Sequence, residues 1–249
     1  MTPISAQISL NGSRLVRFLS DMNVSDVKVS HQYFAERLGD VIDINESIRL
    51  SSAHSSLSTT RFNPREVVTE QVIEEFFQLR TAIVQSIVNS LSPDTAVSRI
   101  KLPAVSGPEQ AYEPYLRFYQ AHQRDIDFKV QGYRSTLRTT VAGRSEKLAQ
   151  LAALDLALEN TLLDHNRKLF VVVPRLLGKR YEYLWQQHEK TLATQKHDDD
   201  DGQSSSRNTL WLDTFYADIQ GLLLAELDVR LQPVLGLIEA LNEEVDKNQ

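Results

Sequence analysis

The chain has 249 residues, 41% hydrophobic and 24% charged, an ordinary composition for a globular protein with enough length for one large domain. A formal net charge of −6 offers no basic face to a polyanion and argues against nonspecific nucleic-acid binding, and the absence of cysteine excludes disulfides, thiolate nucleophiles and cysteine-ligated metals. Nine glycines and eight prolines leave few turns, which favours long uninterrupted elements over an all-β fold.

In chain order, Asn11 to Ser13 can cap a short amphipathic helix carrying Leu15, Val16, Phe18 and Leu19. Ser30 caps a second pattern through Tyr33, Phe34, Leu38, Val41 and Ile42 to Ile48, weakened at Gly39 by about 1 kcal/mol relative to alanine. A Ser/Thr-rich loop is expected over 51–62. Asn63-Pro64-Arg65-Glu66 is a helix start, with Asn as cap, Pro at the first helical position and Glu near the positive end. The helix that follows carries apolar residues from Val68 to Leu91 on more than half its circumference and stops at Ser92-Pro93-Asp94. A Pro-punctuated connection leads from there to Gly107-Pro108, with one helical turn near Thr95 to Lys101.

The stretch from Tyr112 to Phe170 is the organising element. Tyr115, Phe118 or Tyr119, His122, Ile126, Val130, Tyr133, Leu137 and Val141 recur every three or four residues, and Leu148, Leu151, Leu154, Leu158, Leu162, His165 and Leu169 continue the pattern beyond a turn near Gly143. Ser145 stands at the N-cap of the second helix. So short a link makes the two helices antiparallel neighbours.

Val171-Val172-Val173-Pro174 reads as a break or kink, because proline removes a backbone donor and crowds the preceding turn. A separate helix is expected from Arg175 to Thr194. Residues 197–207, with four consecutive aspartates and a Gly/Ser tail, have almost nothing to bury and read as a disordered linker. The most apolar segment, 208–245, is expected to form docking helices, kinked or stopped at Pro233.

Candidate chemistry is sparse. His122, with Gln123, Arg124 and Asp125, is the most polar island of the first hairpin helix, and a base oriented by a carboxylate one turn away is the functional reading. The competing reading, a buried histidine bonded to a neighbouring helix, is preferred because no nucleophile, metal or cleft is signalled. Asp155 and His165 lie ten residues apart and cannot meet on a straight helix. The chain contains no Glu-x-x-His, HExxH, P-loop, GxGxxG or GxSxG. His197 and Asp198 to Asp201 lack fixed ligand geometry, and Arg167, Lys168, Arg175, Lys179 and Arg180 form a modest basic cluster. No catalytic residue, metal ligand or cofactor is expected.

Four segments, Phe34 to Leu50, Tyr115 to Val130, Ser145 to Leu158 and Leu222 to Leu241, resemble an uncharacterised proteobacterial family known only as a domain of unknown function. The Asp-rich linker and the loop after Leu50 are not parts of that likeness. The resemblance implies an all-helical cytoplasmic protein, encoded beside a stator-like or TolQ-like proton-channel subunit and an outer-membrane-protein-A-like partner; it brings no activity.

The sequence therefore predicts an all-α, elongated bundle of about seven helices in one domain, built on the long hairpin. No secretory signal and no run of about 18 apolar residues is present, so a cytoplasmic, non-enzymatic adaptor or structural accessory is expected. Its partners would be a protein, a channel subunit included, or a second copy met through apolar helix faces. The alternative is an enzyme or small-ligand binder with a site between helices near His122.

Overall fold

Amphipathic periodicity is realised as long helices, and the fold follows from where they start, stop and bend. In a computed structural model, residues 14–21, 47–48, 51–52, 55, 62, 64, 67–92, 99–103, 111–195 and 210–246 are described. Among these the chain is all-helical, with helices α1 (Arg14–Asp21), α2 (Thr69–Leu91), α3 (Glu113–Ala142), α4 (Glu146–Gln195) and α5 (Leu210–Asp246).

The turn of the hairpin forms as its sequence dictates. Gly143 N–H donates to Thr140 O and Arg144 N–H to Val141 O, each at 3.0 Å, closing α3. Ser145 then caps α4, its Oγ accepting from Leu148 N–H at 3.3 Å. At the other end of α3 the Tyr112 carbonyl accepts from both Tyr115 and Leu116 N–H, and Pro114 occupies the first turn.

Five helices have described bounds where about seven were expected: neither internal proline ends its helix, and the expected helix from Ser30 lies largely outside the described residues. Pro174 lies inside the 50-residue α4 and Pro233 inside the 37-residue α5, so the separate helix from Arg175 and the separate C-terminal helices do not exist. Helix α2 begins at Thr69 rather than Pro64: Pro64, Val67 and Val68 are non-helical, and the β-branched valine pair is a poor first turn. Ser51, Ser52 and Ser55, in the expected loop, are helical, with Ser55 Oγ donating to Ser51 O at 2.9 Å. The pattern from Ser30 to Glu46 and the 197–207 linker lie outside the described residues.

The chain divides into two compact units, the first comprising Met1–Val27, Val84–Arg124 and Phe170–Glu226, the second Lys28–Ile83, Asp125–Leu169 and Leu227–Gln249. In the first unit an aromatic core joins α3, α4 and α5: Phe215 meets Tyr115 and Tyr181 edge-to-face at 5.4 and 5.0 Å, and Trp211 meets Tyr181 and Trp185 at 5.5 and 5.3 Å. Gly178 lets the Tyr112 ring lie on α4, since a Cβ there would stand 2.9 Å from the ring. Gly221 does the same for Phe18, which seats α1 on α5.

In the second unit Val72, Phe76 and Ile83 of α2, Ile126, Val130, Leu137 and Val141 of α3, Leu148, Ala149 and Ala152 of α4, and Leu231, Val234, Leu237 and Leu241 of α5 are buried. Tyr133 Oη donates to the Val72 carbonyl at 2.8 Å. Asp228 and Arg230 of α5 pair with Arg80 and Asp127. Helix α5 thus docks on its own chain in both units.

Candidate functional site

His122 is 1% exposed and edge-on to Phe118. Its Nε2 lies 2.8 Å from Ser90 Oγ, and that hydroxyl donates to Ile87 O at 2.8 Å. With the serine proton committed to a carbonyl, Ser90 accepts from His122 Nε2–H, which fixes the tautomer. A hydroxyl beside an imidazole is the arrangement of an activated nucleophile, but this hydroxyl points its proton away and both side chains are buried. The pair joins α2 to α3. Asp125, the expected orienting carboxylate, is instead bonded by Lys129 Nζ at 2.6 Å.

Gln123, the residue after His122, bonds a buried acid that periodicity alone concealed. Glu226 is 0% exposed, in the apolar row of α5. Tyr119 Oη donates to its Oε2 at 3.0 Å, and Gln123 Nε2 reaches its Oε2 and Oε1 at 2.9 and 3.2 Å. Gln123 Nε2 also donates to the Phe170 carbonyl at 3.0 Å. That carbonyl belongs to the residue four before Pro174 and has lost its intrahelical donor to the proline ring. Gln123 replaces it, and Tyr112 Oη bonds the Pro174 carbonyl at 2.5 Å, which explains why α4 runs on through the proline. Tyr112 belongs to a group of phenols whose pKa burial raises; Tyr181, also raised by nearby Tyr115, is pushed up to about 12.

The second unit holds a four-member ion cluster across the hairpin. Arg134 grips Asp155 with Nε to Oδ2 at 2.9 Å and Nη2 to Oδ1 at 2.5 Å, a fork-to-fork bond of the strong kind. Arg138 bonds Asp155 Oδ2 at 3.0 Å and also Glu159. Arg134 Nη1 stands 3.8 Å from Glu159 Oε1, beyond hydrogen-bond length. The four side chains are only 9–14% exposed. They adjoin a cleft of about 380 Å³ whose lining includes Arg134, Asp155 and Glu159, four leucines of α4, and Pro233, Gly236 and Leu237 of α5.

The remaining candidates stay apart. Asp155 is taken up by the arginines, and His165 is half-buried ten residues further along the same helix. Arg180 of the basic cluster is bonded to Asp218 at 2.9 Å and lies over the Tyr183 ring; Lys168, Arg175 and Lys179 are exposed. His197 and the four aspartates lie outside the described residues. Among the described residues no three His, Asp or Glu side chains gather as a metal site, and no helix is long and apolar enough to cross a membrane. Of the aromatics in α3, Tyr115, Phe118 and Tyr119 are core, whereas Phe128 is 80% exposed.

Glu226, the ion cluster and the cleft were not singled out by the sequence. The available signals were a carboxylate in a leucine-rich stripe, and arginines four apart on one hairpin helix facing acids four apart on the other.

No curated protein and no solved structure matches the chain. Residues 1–243 match the family described as Protein of unknown function (DUF3348), a match that contains all four segments of the resemblance. The chain therefore belongs to the DUF3348 family.

Proposed function

We propose that the protein is a non-enzymatic helical adaptor that holds partner helices against α4. The supporting observation is a set of leucines that folding leaves uncovered on the N-terminal half of this helix: Leu156, Leu158, Leu163 and Leu169 are 37–56% exposed. Covering a leucine stabilises by about 1.5–3 kcal/mol when complete, so each of these retains roughly 1 kcal/mol for a partner to recover. Leu156 and Leu163 are one heptad apart, the spacing at which a second helix packs knobs into holes. Leu158 and Leu169 fall on the opposite flank, leaving the first row for a partner helix.

The partner proposed is the cytoplasmic part of a stator-like or TolQ-like channel subunit, on the strength of the family resemblance. The test is a bacterial two-hybrid or pull-down against that subunit, using the wild type and the double variant Leu156→Lys/Leu163→Lys. Wild-type capture, lost in a variant of unchanged melting temperature, is the expected result. Equal capture by both, or none under conditions where a stator pair is recovered, contradicts the proposal.

A further inference from the structure

The cleft of the second unit lies on the other flank of α4 from the Leu156–Leu163 row, and its occupant can be argued from its lining. At about 380 Å³ it falls in the range of small-ligand pockets, about 300–1,000 Å³. Its rim and its floor differ. Leu158, Asn166 and Gly236 are exposed at the mouth, whereas Leu237 and Arg134 are buried at depth. The walls are leucine from α4 and Pro233, Gly236 and Leu237 from α5, so the body of a ligand must be apolar.

Arg134 decides the other end of the ligand. Nε and Nη2 are engaged by Asp155, and Nη1 makes only the 3.8 Å ion pair with Glu159. A nine-tenths-buried guanidinium on the lining of an apolar cleft therefore retains donors for an acceptor atom. Two arginines and two carboxylates already balance in charge around it. An anionic or cationic head would add an uncompensated charge where water is scarce, which is costly; an uncharged carbonyl or amide oxygen adds none. Depth favours a slender molecule, since a partner helix resting on the rim leucines does not bring its own backbone to Arg134.

We infer that the cleft between α4 and α5 binds a small uncharged amphiphile, its apolar chain along the leucines and its carbonyl or amide oxygen accepting from Arg134. Gly236 provides the cleanest perturbation, because nothing lies within 4 Å of a Cβ placed there. A larger side chain at this position occupies the cleft without displacing packed atoms.

The test is calorimetric titration of the whole protein with octanamide, octanoate and octylamine, which share a chain length and differ in head charge. Saturable one-site binding of octanamide is expected, with the charged pair at least about tenfold weaker. Gly236→Phe should lower octanamide affinity at least about tenfold, at an undiminished melting temperature, while Gly236→Ala retains binding. The inference is overturned if octanamide does not saturate, if either charged analogue binds as tightly, or if Gly236→Phe binds like the wild type. Because Leu156 and Leu163 lie on the other flank, the Leu156→Lys/Leu163→Lys variant should still bind octanamide, so this inference and the adaptor proposal fail separately.

Discussion

Replacing Gln123 by leucine removes one side-chain amide and tests how α4 passes through Pro174. Three contacts disappear: two to Glu226 at 2.9 and 3.2 Å and one to the Phe170 carbonyl at 3.0 Å. Bonds to a charged acceptor are worth about 1.5–3 kcal/mol and a neutral one about 1, so Gln123→Leu should destabilise by about 2–4 kcal/mol. Pro174→Ala restores an N–H four residues beyond Phe170 and removes the ring that crowds that carbonyl, and should stabilise by about 1–3 kcal/mol. The informative quantity is the coupling. In the Pro174→Ala background the Phe170 carbonyl no longer depends on Gln123, so Gln123→Leu should cost about 1 kcal/mol less there. Urea unfolding of the four proteins measures it, read by the fluorescence of Trp185 and Trp211, which lie in the same unit as Gln123 and Pro174. Additivity within about 0.3 kcal/mol, or a larger loss in the Pro174→Ala background, would refute the reasoning.

Asp155→Ala leaves Arg134 and Arg138 buried without their shared carboxylate and should cost about 3–5 kcal/mol, whereas Arg134→Met/Asp155→Leu together should recover most of that, measured by urea unfolding followed by circular dichroism. Gly221→Leu would drive a side chain into the Phe18 ring, whose edge already occupies the place of a Cβ at that position, so trypsin should cut at Arg14 or Arg17 several-fold faster than in the wild type. An unchanged cleavage rate would show that α1 does not depend on that seat. Stability should also fall in alkali. Burial pushes Tyr133 and Tyr181 up to about 12 from an ordinary value of 10.0, with Glu75 and Tyr115 adding to the respective shifts. Between those values the unfolded chain has released protons that the folded chain keeps, so this contribution is complete below pH 10 and is lost as pH rises through about 12. A part of the phenolate absorbance that develops only together with loss of helical circular dichroism would bear this out; ionisation of all eight tyrosines near pH 10 with the fold intact would not.

Local signals were legible in the sequence and long-range compensation was not. Ser145, Gly143, Pro114 and the stop at Ser92 act within a turn of themselves, and each marks the boundary its chemistry implies. Pro174 misled because its effect is set by Gln123 and Tyr112, far earlier in the chain on α3 and at its start, whose side chains bond the carbonyls around it. His122 was read as a residue bonded to a neighbouring helix, and Ser90 is its partner on α2. Glu226 falls in the apolar row of the C-terminal helix, but its partners are not legible there, because periodicity records position and not the donors that make a buried carboxylate tolerable. The cleft could not be read at all, since a concavity depends on how far α4 stands from α5 and not on which residues either helix carries.

The adaptor proposal is tested most directly by site-specific photo-cross-linking in cells, with p-benzoylphenylalanine placed at Leu163 and, as a control, at exposed Gln186 of the same helix. The account predicts a single discrete adduct from position 163, identified by mass spectrometry as a channel subunit, absent from position 186 and abolished by Leu156→Lys. Adducts of equal yield from both positions, or none from 163, would contradict it.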